Sequence, residues 1–391
     1  MGFELTKIDP YNCSLEELEK EIKQLEKIKD EYFNLEQSIK IWINSCYGAL
    51  GSPWFECYNM SVAEAVTLQG QDLIKYANKK LDEYFLNLWH NDKELHEELG
   101  ITYANKIAEK SLIIYNDTDS LYLTFEPVVK SCDYKGDMID FILKIKEFRL
   151  TGYLKKCFNE YAEKFNTKNY QDLELEKISY SALMVAKKKY ILDLAWKDPG
   201  VRFKPQAKIK SVGIEIMQGS TPPFARTTLK TLLHTLFSEG KELKYAEVVK
   251  TLKYIKQQFV LQDPNDISKT VAIGDYEKYV LEDKKELKLA DKCPINVRAS
   301  GIYNHKLLNN RFKSKYNLIK TGDKIKYYYA KASKDENAFG FLPNLFPYEF
   351  APEIDYDLQF AKVVIEPFNR YMMAAGFNAI PQNLIYSKSL F

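Results

Sequence analysis

The residues best placed to do chemistry in this chain are Asp117 and Asp119, which lie in the stretch Leu-Ile-Ile-Tyr-Asn-Asp-Thr-Asp-Ser-Leu-Tyr-Leu-Thr-Phe from Leu112 to Phe125. Apolar and β-branched residues fill both flanks, and Asn116, Asp117, Thr118 and Asp119 form a turn between them, so the pattern predicts a β-hairpin with acid at its tip. In an extended chain, residues i and i+2 leave the same side of a strand, which puts both carboxylates on one face. Two carboxylates that close repel unless a cation lies between them, and Mg²⁺ is held by one or two carboxylates together with substrate phosphates. That chemistry is phosphoryl or nucleotidyl transfer. An Asn-Asp-x-Asp surface turn is common in itself, so its meaning depends on the elements around it.

The chain has 391 residues, 46% of them hydrophobic, enough for two or three domains with ordinary cores. No run approaches the length of a membrane span, and Met1 to Lys7 lacks the apolar core of a signal peptide. The six cysteines, Cys13, Cys46, Cys57, Cys132, Cys157 and Cys293, form no CxxC pair, and four histidines are too few to complete ordinary zinc sites with them. These features make a reduced, cytoplasmic protein without a membrane the expectation. The formal net charge of +2 excludes a uniformly basic nucleic-acid binder. It hides an asymmetry, however: Val201 to Lys334 holds 27 Lys and Arg against 13 Asp and Glu, and the remainder is net acidic. Such a division suits a protein that grips a polyanion with one part and holds cations with another. Solvated lysine-rich helices are the plainer explanation.

The elements that must position the acids can be read in order. Ser14-Leu-Glu-Glu17 is a capping box, and from it Leu15, Leu18, Ile22, Leu25, Ile28, Tyr32, Leu35, Ile39 and Ile43 keep a three-and-four spacing to about Tyr47. That predicts a helix of roughly 50 Å that projects and needs a partner along its stripe. Lys40, Asn44 and Tyr47 fall on one face of it, and Gly48 with Gly51-Ser-Pro53 ends it. A second helix is expected over Ser61 to Trp89, and helices again over Asp137 to Phe165. Strand, turn and strand are expected over Leu173 to Ile191, with Ala186-Lys187-Lys188-Lys189-Tyr190 in the second strand. Three successive lysines in a strand project to both faces, and a phosphate backbone would satisfy the inward one. Helices follow at Ala225 to Phe237 and Tyr245 to Phe259, a strand pair at Asp323 to Ala332, and a last helix at Gln359 to Ala375.

The order Lys40-x-x-x-Asn44-Ser45-x-Tyr47-Gly48, then Tyr115-x-Asp117-Thr118-Asp119-Ser120, then Lys187-Lys188-x-Tyr190 resembles the C-terminal part of family B DNA polymerases, closest to the T-even type replicative enzymes of bacteriophages. Gly213-Ile-Glu215, Ser220-Thr221-Pro222 and Lys292-Cys-Pro294 with Arg298 are similar to the thumb of that group. The resemblance covers nearly all of residues 14 to 391. It implies an α+β fold: a projecting long fingers helix in residues 1–52, a palm with antiparallel sheet and packed helices in 53–213, and a mostly helical thumb with a clamp-binding tail in 214–391.

The resemblance also implies roles. Lys40 and Asn44 would meet the triphosphate of an incoming dNTP, with Tyr47 and Gly48 lining the nascent base pair. Asp119 and Asp117 would hold two Mg²⁺ ions that activate the primer hydroxyl and steady the pyrophosphate, with Glu176 a lesser palm carboxylate. Lys187, Lys188 and Tyr190, and from the thumb Lys292 and Arg298, would track primer-template DNA. Leu390 and Phe391 would bind a sliding clamp. The family's upstream metal-binding aspartate, its 3′–5′ exonuclease and the first fingers helix are not found in this sequence. Asn116 stands where Gly is usual, tolerable because Asn accepts left-handed geometry, and Lys189 where Arg is usual. The expectation is the C-terminal subunit of a split DNA polymerase, inactive without an N-terminal polymerase chain, in the cytoplasm of a bacterial host if viral. A non-catalytic DNA- and clamp-binding scaffold is the alternative. A reverse transcriptase or RNA polymerase leaves Lys40 to Gly48 and Lys187 to Tyr190 without explanation.

Overall fold

The computed structural model describes residue 9 and residues 12–239, 242–282, 286–331 and 336–386. The chain is α+β and divides into two compact units, one of Met1–Lys135 with Phe148–Asp172, the other of Gly136–Glu147 with Leu173–Phe391.

In the first unit, helix α1 runs from Leu15 to Leu50, and its capping box is made on both sides: the Ser14 hydroxyl accepts from Glu17 N–H, and the Glu17 carboxylate accepts from Ser14 N–H. This predicted element is present with its predicted start. None of its 36 residues is buried. Gly51 caps it in right-handed geometry, and Asn59 N–H donates back to the Leu50 carbonyl before the Asn59 side chain caps helix α2, Met60–Glu83. Helix α2 continues through a wider turn at Tyr84–Leu88. From there Tyr84, Phe85 and Trp89 enter the core, with Phe85 edge-on to Phe125 at 5.6 Å. Three ties hold this core: the Tyr84 hydroxyl donates to Asp92, the Trp89 indole donates to Ser131, and the Arg149 guanidinium sits 2.7 Å from Asp92 and 2.8 Å from Glu94. Burial, with Asp92 accepting its hydrogen bond, pushes the Tyr84 hydroxyl far above the usual phenol value.

Strands β1, Ile113–Asp117, and β2, Ser120–Leu123, form a two-stranded antiparallel ribbon in the same unit. Leu112, 1% exposed, anchors its base, and Leu112 N–H donates to the Asp82 carboxylate of α2 at 2.9 Å.

The second unit is built on two sheets. Strands β3, Lys177–Ala186, β4, Lys189–Lys197, β5, Val201–Arg202, and β6, Ile209–Val212, form an antiparallel sheet in which β4 pairs with the other three. Lys187 and Lys188 are therefore the turn between β3 and β4 and not strand residues, which corrects the sequence expectation. The reversal needs a positive φ, and Lys188 supplies it at 61°. The second sheet pairs Lys324–Tyr329 with Lys269–Ala272 on one side and Ala338–Phe341 on the other. The expected strand pair at Asp323 to Ala332 is thus a single central strand, paired with the next strand, Ala338–Phe341, and with the distant Lys269–Ala272.

The helix Ile295–Leu308 lies against that sheet so closely that a Cβ on Gly340 would stand 3.1 Å from the Ala299 backbone. Sequence periodicity does not reveal this helix, because Ser300, Gly301 and Asn304 are buried together with Val297, Ala299, Ile302, Tyr303 and Leu307, while Leu308 is exposed, so polarity does not follow burial. Buried Asn304 and Gln359 are satisfied by the backbone, Asn304 through Ile319 and Gln359 through Tyr329 and Ile267. The expected last helix is present from Tyr356 to Ala374, with a wider turn at Ala361–Ile365. No helix among the described residues is long and apolar enough to cross a membrane.

Candidate active site

The acid hairpin closes more tightly than an extended chain. Its register pairs Tyr115 with Tyr122, Asn116 with Leu121 and Asp117 with Ser120, leaving Thr118 and Asp119 as a two-residue turn. Thr118 has φ 51°, and a β-branched residue there is strained by about 1–3 kcal/mol, a cost that clusters at functional sites. The chain reverses at Thr118, so the sequence argument that placed both carboxylates on one face of a continuous strand does not hold. The turn is tied locally instead: Asp119 N–H donates to the Asp117 carbonyl at 2.6 Å, the Ser120 hydroxyl donates to the same carbonyl at 3.0 Å, and the Thr118 hydroxyl donates to the Asp117 carboxylate at 3.2 Å. Asp119 is exposed at the apex and Asp117 half-buried at the strand end. Asn116 is an ordinary strand residue, and the left-handed position falls at Thr118, so tolerance of positive φ does not account for Asn116.

No group of three or more His, Cys, Asp or Glu among the described residues is gathered as a metal site. The hairpin supplies two hard oxygen donors. They fit a cation of the Mg²⁺ type, which is bound by one or two carboxylates and completes its shell with water or substrate oxygen.

On α1 of the same unit, Lys40, Asn44, Tyr47 and Gly48 are all exposed, and Lys40 lies 2.5 Å from the Glu36 carboxylate one turn earlier. A Cβ at Gly48 would meet nothing within 4 Å, so the fold of this chain does not itself require a glycine there.

In the second unit, the lysine turn is clasped by Gly213. Its φ is +64°, and a Cβ there would lie 2.1 Å from the Lys188 carbonyl oxygen. Tyr190, next along β4, pairs with Val212 and is buried. Two residues beyond Gly213, burial pushes the Glu215 carboxyl up, but its own backbone N–H, the Tyr371 hydroxyl and the Arg370 guanidinium outweigh burial and leave it below the usual carboxylate value. Lys292 is exposed at φ 57°. Arg298, in the first turn of the helix Ile295–Leu308, is half-buried with a nitrogen 3.5 Å from the Asn337 side chain. Leu390 and Phe391 lie outside the described residues. Sequence reasoning missed Asp82 and Gly213 as positioning residues. Gly213 follows a short strand, a signal for a close backbone approach, whereas nothing local marks Asp82, whose partner is thirty residues away.

With this geometry in view, comparison with known proteins is decisive. Residues 16–371 match the family model of DNA polymerase family B. This chain belongs to that family. It is similar to the DNA-directed DNA polymerase of Escherichia phage RB69, 23% identical over 360 residues that cover 86% of this chain and 36% of that protein. The DNA-directed DNA polymerase of Enterobacteria phage T4 is 25% identical over 278 residues, 68% of this chain and 28% of that protein. The DNA polymerase delta catalytic subunit of Dictyostelium discoideum is 24% identical over 273 residues, 68% and 20% respectively. The match thus spans about a third or less of the length of these family B relatives.

Proposed function

We propose that this chain is the DNA-synthesising part of a family B DNA polymerase, adding dNTPs to a primer 3′-hydroxyl on primer-template DNA, and that it works with a second polypeptide. The observation that carries this reading is the strained acid turn at Asp117 to Ser120 in a chain that belongs to the family. Residues 1–52 act as half of the fingers, 53–213 as palm and 214–391 as thumb.

Asp117 and Asp119 would hold the divalent cations, which when bound lower the pKa of the attacking hydroxyl and balance charge on the departing pyrophosphate. Lys40 and Asn44 bind the triphosphate, Lys40 exchanging Glu36 for phosphate oxygens. The Tyr47 ring and the open space at Gly48 bound the nascent base pair. Lys187, Lys188 and Tyr190 at the turn, with Lys292 and Arg298, hold the duplex by its backbone without reading sequence. Leu390 and Phe391 are the peptide offered to a sliding clamp.

Two features support a second polypeptide. No group of three or more His, Cys, Asp or Glu is gathered among the described residues, and two-metal chemistry needs more ligands than Asp117 and Asp119 alone. Helix α1 also leaves Ile41, Trp42 and Ile43 at 67%, 70% and 57% exposure, apolar surface that normally marks an interface. The partner carries the other metal-binding aspartate, the first fingers helix and the exonuclease.

The test is primer extension with Mg²⁺ and four dNTPs, using the chain alone and then mixed with the polypeptide that bears the missing aspartate. Synthesis in the mixture alone is the expected result. Asp119→Ala in that mixture should abolish synthesis by a thousandfold or more, on the order of 4 kcal/mol in the barrier, while anisotropy still reports DNA binding. Unchanged synthesis sinks the catalytic assignment, and binding without synthesis in every mixture moves the reading to a scaffold.

A further inference from the structure

The apolar stripe of helix α1 is symmetric along its length. Leu15, Leu18, Ile22 and Leu25 are spaced three, four and three residues apart, and Tyr32, Leu35, Ile39 and Trp42 repeat that spacing. The two halves mirror one another about the step from Ile28 to Lys29. Set antiparallel about that step, two copies of the helix place Leu15 level with Trp42, Leu18 with Ile39, Ile22 with Leu35 and Leu25 with Tyr32. Each of these four layers occurs twice, as a two-fold axis requires. Alternating steps of three and four are the seam of a coiled coil. The seam is open: Leu15, Ile22, Tyr32, Leu35, Ile39 and Trp42 are between 47% and 75% exposed. It is about 42 Å long and leaves Asn44 and Tyr47 beyond its end.

Charge selects the orientation. Glu16, Glu17, Glu19 and Glu21 against Lys20 make the start of α1 acidic. A parallel pair would bring two acidic ends together, whereas the antiparallel pair sets each beside Glu36 and Lys40, which neutralise one another at 2.5 Å, and opposes the two helix dipoles. At the centre, Ile28 of each copy meets Lys29 of the other. A single lysine in an apolar seam fixes register at a cost in affinity, and its methylene stem covers the isoleucine while the ammonium reaches water.

We infer that the stripe of α1 is a self-recognition surface, through which two copies of this chain pair antiparallel from Leu15 to Trp42. The pairing stands on the spacing and charge of α1 alone. Its use rests on the proposed function: the second polypeptide needs the same stripe and has to displace one copy from the other, so the dimer holds the chain out of synthesis until that polypeptide is present.

Sedimentation velocity on the full chain, from nanomolar to tens of micromolar, is expected to show a monomer–dimer equilibrium. I22K and L35E each place a charge in two of the layers, and each should weaken the dimer by about a hundredfold or more. Both sites are exposed in the single chain, so neither variant should change the melting temperature of the monomer. Mixed in equal amounts, the two variants should pair with one another, because the antiparallel register sets position 22 of one chain against position 35 of the other. K29L should tighten the dimer by about tenfold. A chain that stays monomeric throughout overturns the inference, as does a dimer that I22K leaves intact, since that dimer would lie on another face. A dimer that both variants dissolve and their mixture does not restore overturns the antiparallel register. Adding the second polypeptide should convert the dimer to a one-to-one complex. A complex that keeps two copies of this chain refutes the displacement, while primer extension, read separately, decides the proposed function.

Discussion

The two charged hairpins solve the same geometric problem with opposite charge and different support. Each has a two-residue turn with a positive φ, Thr118 at 51° in the acid hairpin and Lys188 at 61° in the basic one. The basic turn belongs to a four-stranded sheet and is clasped by the Gly213 backbone. The acid turn caps a two-stranded ribbon, anchored at its base by buried Leu112 and by the bond from Leu112 N–H to the Asp82 carboxylate. A two-stranded ribbon has little stability of its own. The basic hairpin is thus fixed by its fold, and the acid hairpin by its anchor to α2, which leaves the acid tip the more sensitive to change at a distance.

The largest effect that would break this comparison is expected at Gly213→Ala. Positive φ and a 2.1 Å approach to Lys188 act together there, and the variant should lose about 3 kcal/mol or more in urea unfolding. A loss below 1 kcal/mol would mean that the clasp is loose. Next is Glu215→Gln, which removes a charge bonded to Arg370 and Tyr371 and should cost about 2 kcal/mol at neutral pH. The folded carboxyl titrates below its ordinary value of 4.5, so its contribution is full above that pH and is lost as pH falls through the lowered value. The difference between the two proteins should therefore shrink in acid, and a difference constant from pH 7 to pH 3 would show that the charge contributes nothing.

Asp82→Ala should cost about 1–2 kcal/mol by leaving Leu112 N–H buried and unmatched. It should also lower synthesis in the reconstituted enzyme more than it lowers DNA binding, and equal losses would show that the anchor does not position the acids. The smallest effect sharpens the contrast at the tip itself. Thr118→Gly relieves the left-handed strain and should raise stability by about 1 kcal/mol while reducing synthesis, as pre-organisation is lost.

How much of this could be read from sequence follows the same physics. Helix α1 was legible from Ser14 to Tyr47 because its cap is local and its apolar stripe has one period. The helix Ile295–Leu308 was not, because it buries Ser300 and Asn304 and exposes Leu308, which blurs the period that reveals a helix. The acid hairpin was legible from its β-forming flanks, but the relation of Asp117 to Asp119 depends on a reversal at Thr118 that a β-branched residue does not announce. The turn at Lys187 and Lys188 was hidden for the same reason, since it contains no Gly, Asn or Pro, and the partner that makes it possible, Gly213, is distant in sequence. The elements that carry the candidate residues were therefore readable, and the contacts that support them were not.

Helix α1 has a further consequence. A helix of 36 residues with no buried side chain owes its persistence to its cap, its side-chain pairs and whatever covers its stripe. Its amides should exchange with solvent deuterium through local opening, long before those of the helix Ile295–Leu308, which exchange only when the whole unit unfolds. Once a partner occupies the stripe, protection of α1 should rise with the logarithm of partner concentration. The helix that presents Lys40 and Asn44 would in this sense be a concentration gauge: under the proposed split, its order would report how much partner is bound.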